Sequence, residues 1–120
     1  MHRILVADDN PTVRGTIAAA LEAAGHDVVQ AADGGEAAAR LDAGGFDLLV
    51  TDLEMPIMDG LDLLQRVRAS PRPIPVIMVS GTWTREEKHR AKTLAAAALF
   101  EKAGLDLTHL VREVGRLLGA

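Results

Sequence analysis

The chain has 120 residues, 48% of them hydrophobic and 25% charged, with a formal net charge of −4 and no cysteine. That balance fits one globular domain with its own core, excludes disulfide and thiol chemistry, and argues against a generic basic nucleic-acid surface. Aromatics at 2% leave almost no platform for stacking bases or flavins, and no apolar run approaches the roughly 20 residues of a membrane span.

The sequence opens on a strand-like run, Ile4–Ala7, rather than on a secretory leader, so a soluble cytoplasmic domain is expected. Asn10 then reads as an N-cap and Pro11 as a first helical residue, with Val13, Ile17, Ala20, Leu21 and Ala24 on one face. Val28–Val29 suggests a second strand. Asp33 and Glu36 resemble a capping box for a helix to about Ala43, stopped by Gly44-Gly45. Leu48–Thr51 is a third strand-like run, and Asp59-Gly60 opens a helix carrying Leu61, Leu64 and Val67 that ends before the proline-rich Ser70–Pro75. Val76–Val79 is a fourth strand-like run.

Thr84 and Glu87 are placed to cap the next helix, on which Arg85 to Lys92 suits a solvated face. The alanine-rich stretch that follows favours helix, yet a strand is wanted before Lys102, and it is expected to start near Ala97. Leu107, Leu110, Val111, Val114, Leu117 and Leu118 form the cleanest amphipathic helix. Strands alternating with helices predict right-handed crossovers and a parallel sheet covered on both faces, an α/β doubly wound fold.

In such a sheet the carboxyl ends of the strands converge on one crevice. Asp8 and Asp9 end the first strand, Asp52 the third, Ser80 the fourth, and Lys102 the fifth. One acid starts a helix well enough, a lone Asp after a strand is most often turn chemistry, and a lone lysine is usually solvated. Their arrival at the same end of one sheet is what points to chemistry. Unit charges about 4 Å apart repel by roughly 4 kcal/mol at an effective dielectric near 20. A hard divalent cation relieves that repulsion, and a remaining carboxylate is then free to attack phosphorus.

Asp52-Leu53-Glu54-Met55-Pro56-Ile57-Met58-Asp59-Gly60, Ile4–Pro11 and Val76–Gly81 together resemble the receiver domain of two-component response regulators, with a match across essentially all 120 residues. The resemblance implies a flavodoxin-like, five-stranded sheet in the order 2-1-3-4-5 with five helices, and a single receiver domain over residues 1–120 with no output domain in this chain. It makes Asp52 the phosphoacceptor, with Ser80 and Lys102 as its catalytic partners. Asp8, Asp9, Asp52 and the Glu54 carbonyl would hold Mg²⁺ or Mn²⁺. The donor would be a phosphohistidine of a sensor histidine kinase or phosphotransfer protein, and the effect would pass to a downstream protein target without direct nucleic-acid or membrane binding. The face formed by the fourth helix, fifth strand and last helix would be the place for a homodimer. Such a protein is not a turnover enzyme.

Two positions depart from the family pattern. Ala103 stands where proline usually follows the lysine, so a trans bond is expected, because a cis bond before alanine costs about 3 kcal/mol. Leu99 stands where the switch aromatic is usual, which puts the familiar hydroxyl-to-ring relay in doubt. Ser80, Trp83 and Leu99 are therefore the candidate switch and partner surface, with Trp83 either packed along the following helix or exposed for recognition. A degenerate receiver that binds partners without phosphorylation is the competing reading. An aspartyl phosphatase of the haloacid-dehalogenase type is a further one, weakened by Glu54 where a second Asp would be needed. Flavodoxin-like cofactor binding is weaker still, since Asp8-Asp9 would repel its phosphate. The histidines, His2, His26, His89 and His109, show no metal-ligand spacing.

Overall fold

The computed structural model describes residues 2–119. Strands and helices alternate as β1 (Arg3–Ala7), α1 (Pro11–Ala23), β2 (Asp27–Ala31), α2 (Gly34–Ala43), β3 (Leu48–Asp52), α3 (Gly60–Arg68), β4 (Val76–Ser80), α4 (Arg85–Thr93), β5 (Ala98–Glu101) and α5 (Leu107–Leu117). The strands are all parallel, in the order β2-β1-β3-β4-β5. The doubly wound sheet expected from the pattern, in the flavodoxin-like order that the resemblance implied, is what the chain forms.

Alternation along the strands divides the core in two. Leu5, Ala7, Leu49 and Met78 face α2, α3 and α4, meeting Ala37, Leu64 and Ala91. Ile4, Val6, Val50, Ile77 and Val79 face the opposite way, against Ile17 and Leu21 of α1 and Leu110 and Val114 of α5. The three central strands are almost wholly buried, so their backbone ends are fixed from both sides. The chemistry-bearing side chains stand at those ends.

Some boundaries differ from the sequence reading. β2 extends past Val28–Val29 to Ala31, since Gln30 and Ala31 continue the register against Val6 and Ala7. Pairing with a central strand sets its length, not local hydropathy. The box expected at α2 forms in one direction only: Asp33 accepts from the Glu36 N–H at 2.8 Å. The cap expected from Thr84 and Glu87 forms as a reciprocal box at α4, and a second reciprocal box, between Asp59 and Asp62, opens α3.

Helix α4 stops at Thr93 although alanines follow, and β5 begins at Ala98, one residue later than expected. The stop is made by Ala95, whose φ is 61°. Around it, Ala96 N–H donates to the Ala91 carbonyl at 2.9 Å and Ala95 N–H to the Lys92 carbonyl at 3.0 Å. This pair of bonds is the usual helix stop built on a left-handed residue, a place normally given to glycine. Ala97 N–H then donates to the Val76 carbonyl at 2.8 Å and β5 is under way. Sheet pairing and the turn override alanine's preference for helix.

An L-residue held in the left-handed region costs roughly 1–2 kcal/mol, offset in part by the greater unfolded-state freedom of glycine. Ala95→Gly is therefore expected to stabilise the domain by up to about 1 kcal/mol in urea denaturation. A loss of stability would mean that the Ala95 methyl makes a packing contact outweighing its backbone strain.

Candidate functional site

Asp8 follows β1 and is 1% exposed, while Asp9 beside it is open to solvent. The backbone here is held closely. Asp8 N–H donates to the Ala31 carbonyl, Asn10 N–H donates to Asp8 Oδ1 at 2.9 Å, and Arg14 Nη1 donates to the Asp8 carbonyl at 2.9 Å. Asn10 Oδ1 accepts from the Thr12 and Val13 N–H groups, the expected cap of α1. Thus the turn that ends β1 also fixes the acidic pair.

Asp52 is the last residue of β3 and 4% exposed. The loop after it is drawn back over its own backbone. Leu53 N–H donates to the Val79 carbonyl, and Gly60 N–H donates to the Leu53 carbonyl at 2.8 Å. Gly60 is needed for this approach, because a Cβ there would lie 2.5 Å from the Asp52 carbonyl oxygen.

Carboxylate oxygens of Asp8, Asp9 and Asp52 lie within 4.8 Å of one another. Lys102, just past β5, sets its Nζ 3.0 Å from Asp52 Oδ2 and 3.1 Å from Asp8 Oδ2. The ammonium therefore bridges two buried carboxylates, a link between residues 94 positions apart in sequence. The Lys102–Ala103 bond is trans, since there is no cis bond among the described residues.

Burial raises the Asp52 pKa from 3.8 to about 6. The Lys102 hydrogen bond pulls the other way, and the nearby Asp8 charge adds to the rise. Burial also disfavours the Lys102 charge, but hydrogen bonds to Asp52 and Asp8 outweigh it and hold the ammonium more firmly protonated than usual. Three carboxylates against one ammonium leave an excess negative charge of the size a divalent cation neutralises. Their hard oxygen donors fit Mg²⁺ or Mn²⁺.

Ser80 ends β4 and is fully buried. Its Oγ donates to the Thr82 carbonyl at 3.1 Å and accepts from the Thr82 N–H at 3.2 Å, so the hydroxyl is engaged by its own loop. Thr82 Oγ1 donates to Glu54 Oε1 at 3.2 Å, joining the β3–α3 and β4–α4 loops. Glu54 itself lies two residues past Asp52 at the mouth of the site.

Trp83 is half-buried, and its indole N–H donates to the Phe100 carbonyl of β5 at 2.9 Å. It also lines a groove with Arg85, Lys88, His89 and Lys92 of α4. The packed orientation along α4 is the one formed, with a tether to β5 that sequence gave no sign of. Leu99 is half-buried and packs on the same side of the sheet as Trp83. No histidine among the described residues joins the acidic group. His109 meets Phe100 edge-on at 5.1 Å, and His26 lies 6.0 Å from His2.

One residue and one contact were not foreseen from the sequence. Arg14 clamps the Asp8 carbonyl, and its Nε also donates to Gln30; its position one turn into α1, facing back to the cap, was the available signal. The Glu54–Thr82 bond joins residues 28 apart that only the adjacency of β3 and β4 brings together.

A folded-state pKa above the unfolded value means that Asp52 contributes stability in full below about pH 4, and that this contribution is lost as pH rises through about 6. At 1.36 kcal/mol per pKa unit the loss is about 3 kcal/mol. In metal-free protein, Asp52→Asn should gain stability over wild type by about that amount between pH 4 and 7.5, read from denaturant midpoints. A difference independent of pH would mean that Asp52 titrates as an ordinary carboxyl.

The model of the response regulator receiver domain family matches residues 4–114. Among curated proteins, the chain is 37% identical over 117 residues to a gliding motility regulatory protein of Myxococcus xanthus, covering 96% of this chain and 15% of that protein. It is 42% identical over 101 residues to a protein-glutamate methylesterase/protein-glutamine glutaminase of Agrobacterium fabrum, covering 82% and 27%. Among solved structures, a CheY-like receiver domain protein of Methanospirillum hungatei superposes with a TM-score of 0.93 at 27% identity, over 99% of this chain and 94% of that one. The chemotaxis protein CheY4 of Vibrio cholerae gives 0.88 at 28% identity, over 98% of each. The chain spans only 15% and 27% of the length of those two curated relatives, and nearly all of the solved domains.

Proposed function

This chain belongs to the response regulator receiver domain family, and from that we propose that it accepts a phosphoryl group on Asp52 from a phosphohistidine of a sensor kinase or phosphotransfer protein. The observation carrying this reading is the convergence of Asp8, Asp9 and Asp52 within 4.8 Å, with Lys102 bonded to two of them. Asp52 Oδ forms the new P–O bond while the donor's N–P bond breaks and its electron pair returns to the imidazole. The Asp52 carboxyl, with a pKa of about 6, is mainly ionised near neutral pH and so able to attack.

Asp8, Asp9 and Asp52, with the Glu54 carbonyl, would hold Mg²⁺ or Mn²⁺, which when bound supplies charge neutralisation for the phosphoryl oxygens. Lys102 keeps its proton throughout. As Asp52 becomes an ester-like group, its bond to Lys102 is free to pass to a phosphoryl oxygen. Ser80 offers its hydroxyl from the carboxyl end of the neighbouring strand, and to do so it gives up its bonds to Thr82. That exchange would move the β4–α4 loop and, with it, Trp83.

The output then passes by protein contact through the surface around Ser80, Trp83 and Leu99. The α4, β5 and α5 face is the place for a homodimer or a downstream target. Each chain takes one phosphoryl group and does not turn over substrate. No helix among the described residues is long and apolar enough to cross a membrane, and the proposed setting is the cytoplasm. The competing reading, a partner-binding module that is never phosphorylated, is disfavoured by the intact set of Asp8, Asp9, Asp52, Ser80 and Lys102.

Intact mass after treatment with acetyl phosphate and Mg²⁺ should show one acid-labile phosphoryl group on wild type and none on Asp52→Asn. Full labelling of Asp52→Asn would place the acceptor elsewhere, and an unlabelled wild type would favour the phosphorylation-independent module. Beryllofluoride with Mg²⁺ is also expected to change the emission of Trp83, the single tryptophan of the chain. Unchanged emission on beryllofluoride-saturated protein would separate Trp83 from the switch.

A further inference from the structure

Ile57 has no part in the phosphoryl chemistry, yet it is held in a strained conformation and displayed to solvent. It is the middle residue of a three-residue turn in which Met58 N–H donates to the Pro56 carbonyl at 2.8 Å, and its φ is 73°. A positive φ inside an i→i+2 hydrogen-bonded turn marks the rare, strained hand of the γ-turn, and for a β-branched residue it is an outlier. Glycine would take this conformation freely. The side chain is 82% exposed, the one large hydrophobic so exposed among the described residues.

The turn is firmly seated. Gly34, at the start of α2, lets it approach so closely that a Cβ there would stand 1.7 Å from the Met58 carbonyl oxygen. Gly34 N–H also reaches the Pro56 carbonyl at 3.4 Å, and a Cβ on Gly35 would meet Ile57 Cγ2 at 3.2 Å. The first turn of α2 therefore fixes the backbone on one side and leaves the isoleucine in water. Strain kept at such a point marks a functional constraint more often than a defect.

The location says what covers it. Ile57 lies on the loop that leaves Asp52 at the carboxyl end of the sheet, and Asp52 is only 4% exposed. A histidine carried by a protein reaches so recessed a carboxylate only when the donor's surface closes over the surrounding rim. A small phosphodonor needs no such closure. We propose that Ile57 is a specificity-determining contact, an apolar knob on the rim that packs against an apolar patch of the phosphohistidine-bearing protein and seats its imidazole over Asp52. This rests on the receiver reading above and names a recognition element for it.

The test compares two donors. One is acetyl phosphate. The other is a purified phosphotransfer domain, phosphorylated beforehand on histidine and chosen because its transfer to wild type saturates. Ile57→Gly relieves the backbone and removes the knob; Ile57→Ala keeps a Cβ in the turn and removes only the knob; Ile57→Leu restores apolar bulk. The expected result is acetyl phosphate labelling within about twofold of wild type for all three, and a loss of about tenfold or more in kcat/KM from the protein donor for the glycine and alanine variants. That loss should be carried by KM, with the leucine variant largely rescued. Unchanged transfer from the protein donor in both truncated variants overturns the proposal. Equal slowing with both donors also overturns it, since Ile57 would then be shaping the pocket. Failure of wild type to take label from acetyl phosphate and from every phosphohistidine donor tried removes the phosphoacceptor reading itself, a result distinct from either.

Discussion

Carboxylates forced together at the end of a buried sheet repel one another, and the molecule depends on how that repulsion is met. Asp8 and Asp52 are almost inaccessible to water, so solvent screening is weak where it is most needed. Lys102 answers part of it by bonding to both. What remains is an unbalanced negative charge with hard oxygen donors, which is the condition for holding a divalent cation and receiving a phosphoryl group. Stability is given up at this point in return for a pocket ready for charge.

The fold supplies rigidity to that arrangement. β1, β3 and β4 are covered on both faces, so the strand ends bearing Asp8, Asp52 and Ser80 have little freedom. The loops one or two residues further on are held by fewer bonds. Ser80 is tied to Thr82, Thr82 to Glu54, and Trp83 to Phe100. The first link is a pair of hydrogen bonds and the other two are single ones, each bond worth roughly 1 kcal/mol net. The free energy of forming and breaking such bonds is well within reach of one phosphoryl group with its charge. A stiff sheet carrying loosely latched loops can therefore respond without unfolding.

The fifth strand departs from the family pattern in a concrete way. Leu99 has no ring to reorient, and it packs on the sheet face that also carries Trp83. The aromatic contact with β5 is made instead by Trp83, from the β4–α4 loop, through its indole N–H. The β4–α4 loop is thereby tied to the edge strand through a residue of the loop.

Hydrophobic period, cap residues and the placement of charge after apolar runs were enough to read the α/β class, the alternating strands and helices, and the gathering of Asp8, Asp9, Asp52, Ser80 and Lys102 at one end of the sheet, while the role of each came from the family resemblance. Those features are local or repeat along the chain, and so they survive without coordinates. The strand order itself came from the family resemblance. Other features depended on which segments become neighbours. The length of β2 is set by β1, and the stop at Ala95 by the demand for a fifth strand. The Lys102 bridge, the Glu54–Thr82 latch and the Trp83 tether each join residues from different strand ends. The strained turn at Ile57 exists because α2 presents glycines where the loop must press. Periodicity tells a residue which way to face; only packing decides what it faces, since burial, distance and charge coupling are properties of pairs brought together by the whole sheet.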